Sequence, residues 1–171
     1  MKTDTIEIPK STALQMMALL QDAMGINQTA AQSLPIPTKW EDLKSFEQAC
    51  MIAPPHEDDW MLLNYSGQSQ DMLALRAEFR IIVIARAANY LANGHKEWIP
   101  DWENSDEPKY RAWLEYVAGS GFSRCVYDCD GTLTPVGSRL CFISEPVLKH
   151  VATVVAASEY NEYFTLKPTL K

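Results

Sequence analysis

The sequence is short of positive charge. Its 171 residues include 15 Lys and Arg against 22 Asp and Glu, so the formal net charge is -7 at pH 7. A protein that binds the phosphate backbone of a nucleic acid needs a concentrated basic patch. No stretch of this chain is rich in Lys and Arg. We therefore expect no nucleic-acid partner.

Long apolar runs are missing as well. No stretch approaches the roughly 20 apolar residues that a membrane-spanning helix needs, and Met1-Lys2-Thr3-Asp4 lacks the apolar segment of a signal peptide. Hydrophobic residues make up 47% of the chain and charged residues 22%, a balance typical of a folded protein with a buried core. We expect an acidic, soluble, cytoplasmic protein with no membrane partner.

The usual patterns of metal and redox sites are also missing. The four cysteines are Cys50, Cys125, Cys129 and Cys141; no two form a Cys-x-x-Cys pair, and the chain has only 3 His. Zinc sites are built from closely spaced cysteines and histidines, so we predict no metal site and no cofactor. Reduced, partly buried thiols in a reducing compartment are the expected state.

What is present predicts an α+β fold. Apolar residues at helical spacing indicate a long helix over 71–93. Strand patterns follow at 110–117, 122–129 and 136–143, and Ser144-Glu145-Pro146 is a typical helix start. We predict helices packed on a small antiparallel three-stranded meander, with a C-terminal helix.

The length favours a single domain over 1–171. Within it, we distinguish a less typical, helical N-terminal part at 1–66 from an α+β core at 67–171.

One motif indicates catalysis. Asp128-Cys129-Asp130-Gly131-Thr132-Leu133-Thr134 resembles the first motif of the haloacid dehalogenase-like phosphatases. The resemblance implies a magnesium-dependent phosphatase in which Asp128 is the nucleophile and Asp130 the general acid and base. That family needs several further strands and helices after the motif, and this chain ends too soon to supply them. We therefore interpret Asp130-Gly131 as a hairpin turn, with the phosphatase as the alternative hypothesis.

Candidate binding residues cluster in the aromatic segment before the first strand and in the last strand. They are Trp98, Asp101, Trp102 and Arg139. Clustered tryptophans form either a protein-contact surface or a lid over the core. Arg139 is expected to be a structural residue that pairs with a carboxylate or stacks on a tryptophan, or else a contact residue on a functional surface.

Three strings recur in order along the C-terminal part: W-x-P-D-W at 98–102, S-G-F at 120–122 and V-G-S-R-L-C-F at 136–142. This pattern resembles uncharacterised small proteins of phages and prophages of gut bacteria. The resemblance extends from the helix at 71–93 to the C-terminus, and it implies a source and a fold but no mechanism.

The negative charge and the incomplete catalytic motif then favour a non-enzymatic phage or prophage accessory protein that binds a protein partner. A virion component and an inhibitor of host defence both fit this hypothesis, so we expect the protein in the bacterial cytoplasm or in the virion.

Overall fold

The computed structural model describes residues 34–166, except for the side chain of Arg124. Residues Ile36–Lys171 form one compact unit, so residues 36–66 belong to the same unit as the predicted α+β core. The first 33 residues of the predicted helical N-terminal part lie outside the described residues. A single domain over the whole chain stays a prediction.

Three helices begin the described chain: α1 (Phe46–Ile52), α2 (Trp60–Leu63) and α3 (Gln70–Ala92). Short 3-10 turns precede α1 at Trp40–Asp42 and α2 at Glu57–Asp59. Serine side chains start α1 and α3, because the hydroxyl groups of Ser45 and Ser69 accept hydrogen bonds from backbone N–H groups of the first turn. The long helix predicted over 71–93 is therefore confirmed to within one residue.

Two antiparallel strands follow, β1 (Lys109–Val117) and β2 (Gly121–Asp130). Gly119 in the turn between them and Gly121 at the start of β2 have φ of 83° and 72°, a left-handed conformation that glycine adopts without steric cost. Lys109 lies opposite Asp130, and Arg111 lies opposite Asp128. This register decides the chemistry of the hairpin, because it aligns two cations with two carboxylates.

The third predicted strand, over 136–143, is mostly irregular. Its central part is a 3-10 turn at Ser138–Leu140, and Phe142 forms one antiparallel bridge with Tyr110 of β1. The backbone N–H of Tyr110 lies 3.0 Å from the Phe142 carbonyl oxygen, and the return bond measures 2.7 Å. The α+β class and the antiparallel arrangement of three segments are confirmed. The third segment lies beside β1 rather than β2, so the order is not that of a meander.

A side chain of α3 replaces the missing strand pairing around Phe142. The buried Asn89 amide donates to the Cys141 carbonyl oxygen at 2.9 Å and accepts from the Ile143 N–H at 3.0 Å. Buried backbone groups need partners, and this one side chain satisfies two of them. Asn89 thereby fixes the segment that carries Arg139 against the long helix.

The described chain ends in the predicted C-terminal helix, which has three parts. They are α4 (Glu145–His150), a π-helical turn (Val151–Val155) and α5 (Ala157–Phe164). The core lies between α3, this C-terminal helix and the inner face of the hairpin; its fully buried members include Ile81, Ile84, Phe142, Leu148 and Val151. Within the described part, no helix is both long and apolar enough to cross a membrane.

Candidate functional site

The carboxylates of the phosphatase-like motif are both bound to one arginine. Arg111 Nε donates to Asp130 Oδ1 at 3.1 Å, and an Arg111 terminal nitrogen donates to Asp128 Oδ2. Asp130 is 9% exposed, and its second oxygen is buried with no hydrogen-bond partner among the described residues. The guanidinium also lies over the Trp113 ring, 5.2 Å from its centroid. This geometry is that of a structural ion pair across a hairpin.

The predicted hairpin turn at Asp130-Gly131 is wrong. Asp130 is the last residue of β2, and the chain then runs through an irregular loop to the bridge with β1. The two aspartates of the motif therefore lie at the end of an antiparallel edge strand, whereas in the phosphatase family the motif follows a strand of a parallel sheet. Among residues 34–166, no three His, Cys, Asp or Glu side chains are grouped so that they could hold a metal ion.

A buried lysine organises the aromatic segment before β1. The Lys109 side chain is fully buried, and its ammonium donates to the carbonyl oxygens of Asn104 and Glu107 at 2.7 and 2.8 Å. It also lies 5.6 Å from the centre of the Trp102 ring. A buried ammonium is stable only when its N–H donors are hydrogen-bonded, so the loop folds around it with its carbonyl groups facing the ammonium. Trp98 and Trp102 both contact this folded loop.

Two of the four predicted binding residues serve this loop. Trp102 Nε1 donates to the Ser138 hydroxyl at 2.7 Å, and Asp101 Oδ1 accepts from the backbone N–H of Glu103 at 3.0 Å. Both side chains thus stabilise the segments that they join. Trp98 differs from these two residues. Its Nε1 donates to Glu107 at 3.1 Å, and its ring lines two cavities at the surface.

Two adjoining cavities lie beside Trp98, with volumes of about 180 Å³ and about 140 Å³. They share Arg86, Glu97 and Trp98 as walls; we call the pair the Trp98 groove. The larger cavity is completed by Ile52, Ala53 and Tyr90, and the smaller one by Ile82, Asn89, Ile99, Pro100, Ser138 and Arg139. The structure therefore brings Trp98 and Arg139 together, with Arg139 in the wall of the smaller cavity alone.

Arg86 and Arg139 both reach solvent in this groove. Neither makes a hydrogen bond or an ion pair with another residue of the part that the structure describes, and Glu97 pairs with neither of them. Arg139 lies in a 3-10 turn rather than in the predicted strand, and the structural role expected for it stays a prediction. Arg111 has a role of that kind, since it pairs with carboxylates and stacks on a tryptophan.

Three important residues were missed from the sequence: Lys109, Arg111 and Arg86. The first two carried a detectable signal, because a hairpin closing at Gly119–Gly121 aligns them with the acidic end of β2. Arg86 carried none; it is one charged position on a long helix, and nothing local distinguishes it.

A larger cavity of about 390 Å³ opens between α3, the hairpin turn and α5. Its one charged wall, Glu162, is already paired with Arg76 at 3.0 Å. The Trp98 groove differs because its two cations have no partner within the described part.

Comparison with protein families, with curated proteins and with solved structures finds no match for this chain.

Proposed function

We propose that the chain is a non-enzymatic accessory protein of a phage or prophage that binds another protein through the Trp98 groove. One observation carries the proposal: two exposed guanidinium groups without a partner in the described chain flank a half-buried indole. Arginine and tryptophan are the residue types most enriched where protein interfaces gain their binding energy. An arginine left without a partner in a chain of net charge -7 favours an external one.

The division of the groove into two small cavities favours a protein partner over a single compact substrate. Small-molecule sites typically enclose about 300–1,000 Å³. The two cavities of the groove measure about 180 and 140 Å³, so each accepts roughly one side chain. A row of side-chain-sized cavities is what an extended or helical segment of a partner requires.

The test compares two double variants of equal charge change. Arg86→Glu with Arg139→Glu reverses the groove, whereas Lys44→Glu with Lys149→Glu reverses two lysines that do not line it. Full-length protein is cross-linked in bacteria that carry the phage or prophage, and bound proteins are identified by mass spectrometry. We expect a partner that the wild type and the lysine variant retain and that the arginine variant loses. Equal recovery with both variants would contradict the proposal.

Purified virus particles distinguish the two roles that the proposal allows. Stoichiometric amounts of the chain in particles would make it a virion component. Its absence from particles, together with a host protein as the cross-linked partner, would favour an inhibitor of host defence acting in the bacterial cytoplasm.

A further inference from the structure

We infer that the occupant of the Trp98 groove is a segment with a carboxylate next to an apolar side chain. The inference rests on the proposed function and names the chemistry of its partner. The carboxylate would lie between Arg86 and Arg139 in the smaller cavity, and the apolar side chain would enter the larger one.

The residues that line each cavity indicate which group of the ligand it would receive. Arg139 lines only the smaller cavity, and Ile52, Ala53 and Tyr90 line only the larger one. Arg86 and Trp98 stand between them and line both. Side chains two positions apart in an extended ligand point to the same face, so residues i and i+2 can place an anion and an apolar group in the two cavities at once.

The charged residues of the groove favour a ligand that carries a carboxylate, but they limit how many carboxylates it can carry. Two guanidinium groups and the Glu97 carboxylate face the groove, which leaves one net positive charge there. A planar guanidinium binds a carboxylate through paired N–H donors, a geometry that favours carboxylate over a neutral amide. The rest of the chain is acidic, so a long acidic run would be repelled. One or two carboxylates beside an apolar residue satisfy both conditions.

The carboxylate has two chemical sources, an Asp or Glu side chain and the carboxyl end of a partner chain. Both offer the same two oxygens to the arginines. They are distinguished by amidating the end of the ligand, which removes the second source and leaves the first.

The experiment uses the full chain and a synthetic array of random short peptides, each made with a free and an amidated carboxyl end. We expect the bound peptides to combine a carboxylate with an apolar residue two positions away. Binding should weaken about 10-fold or more in the Arg86→Glu, Arg139→Glu variant, remain in the Lys44→Glu, Lys149→Glu variant, and weaken with added salt. Loss of every bound peptide on amidation would assign the carboxylate to the chain end.

Two further variants separate a specific contact from general damage. Glu97→Gln should tighten the bound peptides, because it removes the one carboxylate that faces the ligand's anion. Replacing the acidic residue of a bound peptide by lysine should restore its binding to the arginine-reversed variant. A damaged fold would produce neither gain.

The inference is overturned if the selected peptides are neutral or basic, if both double variants lose them equally, or if no peptide binds. These outcomes differ from failure of the proposed function. A cross-linked partner lost by the arginine variant, but seated in the groove by a segment without a carboxylate, would refute the inference alone. A partner retained by that variant would refute the proposed function, even where acidic peptides bind.

Discussion

Replacing Arg111 by methionine tests whether the charge cluster of the hairpin stabilises the fold. Methionine keeps much of the length and the apolar stem of arginine but removes the guanidinium. The substitution leaves two carboxylates without their cation, Asp130 at 9% side-chain exposure and Asp128 at 52%. The two carboxylates should contribute very differently, since solvent reaches only one of them freely.

The magnitude follows from these exposures. Removing one partner of a buried ion pair costs about 3–5 kcal/mol, because the remaining charge stays in a poorly solvated site. A solvent-exposed pair contributes only about 0.2–1 kcal/mol, and the contact with the exposed Trp113 ring adds about 0.5–1 kcal/mol. Arg111→Met removes all three contributions, so we expect it to lower the free energy of unfolding by about 4–7 kcal/mol, mainly through Asp130. Asp128→Asn should cost less than about 1 kcal/mol.

Urea unfolding of four variants measures these contributions: Arg111→Met, Asp128→Asn, Asp130→Asn, and Arg111→Met with Asp130→Asn. The double variant should be more stable than Arg111→Met alone, because it no longer buries an unpaired carboxylate. Equal losses for Arg111→Met and Asp128→Asn would refute the reasoning. A double variant no more stable than Arg111→Met would refute it too, since the buried charge would then not be the cause.

Four other outcomes are expected. Lys109→Met should lower the free energy of unfolding, measured in urea, by about 1–3 kcal/mol, because two loop carbonyls lose a charged donor. A magnesium-dependent assay on a generic phosphate ester should give background turnover for both the wild type and Asp128→Asn; activity that the substitution abolishes would revive the phosphatase hypothesis. Burial raises the pKa of Cys50 and Cys141 from 9.0 to about 11, so iodoacetamide at about pH 8 should label exposed Cys129 first, as mapped by mass spectrometry. The unfolded thiols lose their protons at lower pH than the folded ones, so the melting temperature should fall as pH rises from about 9 to about 11.

Elements with a strong local signal were predictable from the sequence. The long helix α3 has helical spacing of apolar residues, a serine cap at Ser69 and Gly94 just beyond its end, at a φ of 66°. The hairpin has alternating strands around a Gly-Ser-Gly turn, which the structure retains. Each of these signals lies within one short window, so no knowledge of distant contacts was needed.

The third segment was not predictable in the same way, because its apolar residues are buried without a full strand pairing. Cys141 and Phe142 are fully buried, but a full strand pairing does not hold them. A single bridge to Tyr110 holds one edge of the segment and the Asn89 amide holds the other. The sequence over 136–143 contains the buried residues but neither of these partners. Without the partners, its apolar residues look like those of a strand.

The candidate site, too, depends on contacts between residues that are distant in the sequence. Trp98, Asp101, Trp102 and Arg139 were selected for their residue types, yet each of the first three already makes a side-chain hydrogen bond within the fold. A binding site depends on which polar groups and rings remain without partners after the chain has folded. That property belongs to pairs of residues rather than to single positions: Asp128 is bound to Arg111, whereas Arg139 has no hydrogen bond or ion pair with another described residue. The hairpin register pairs Arg111 with two carboxylates, and this pairing could be recognised only once Lys109–Val117 and Gly121–Asp130 were aligned.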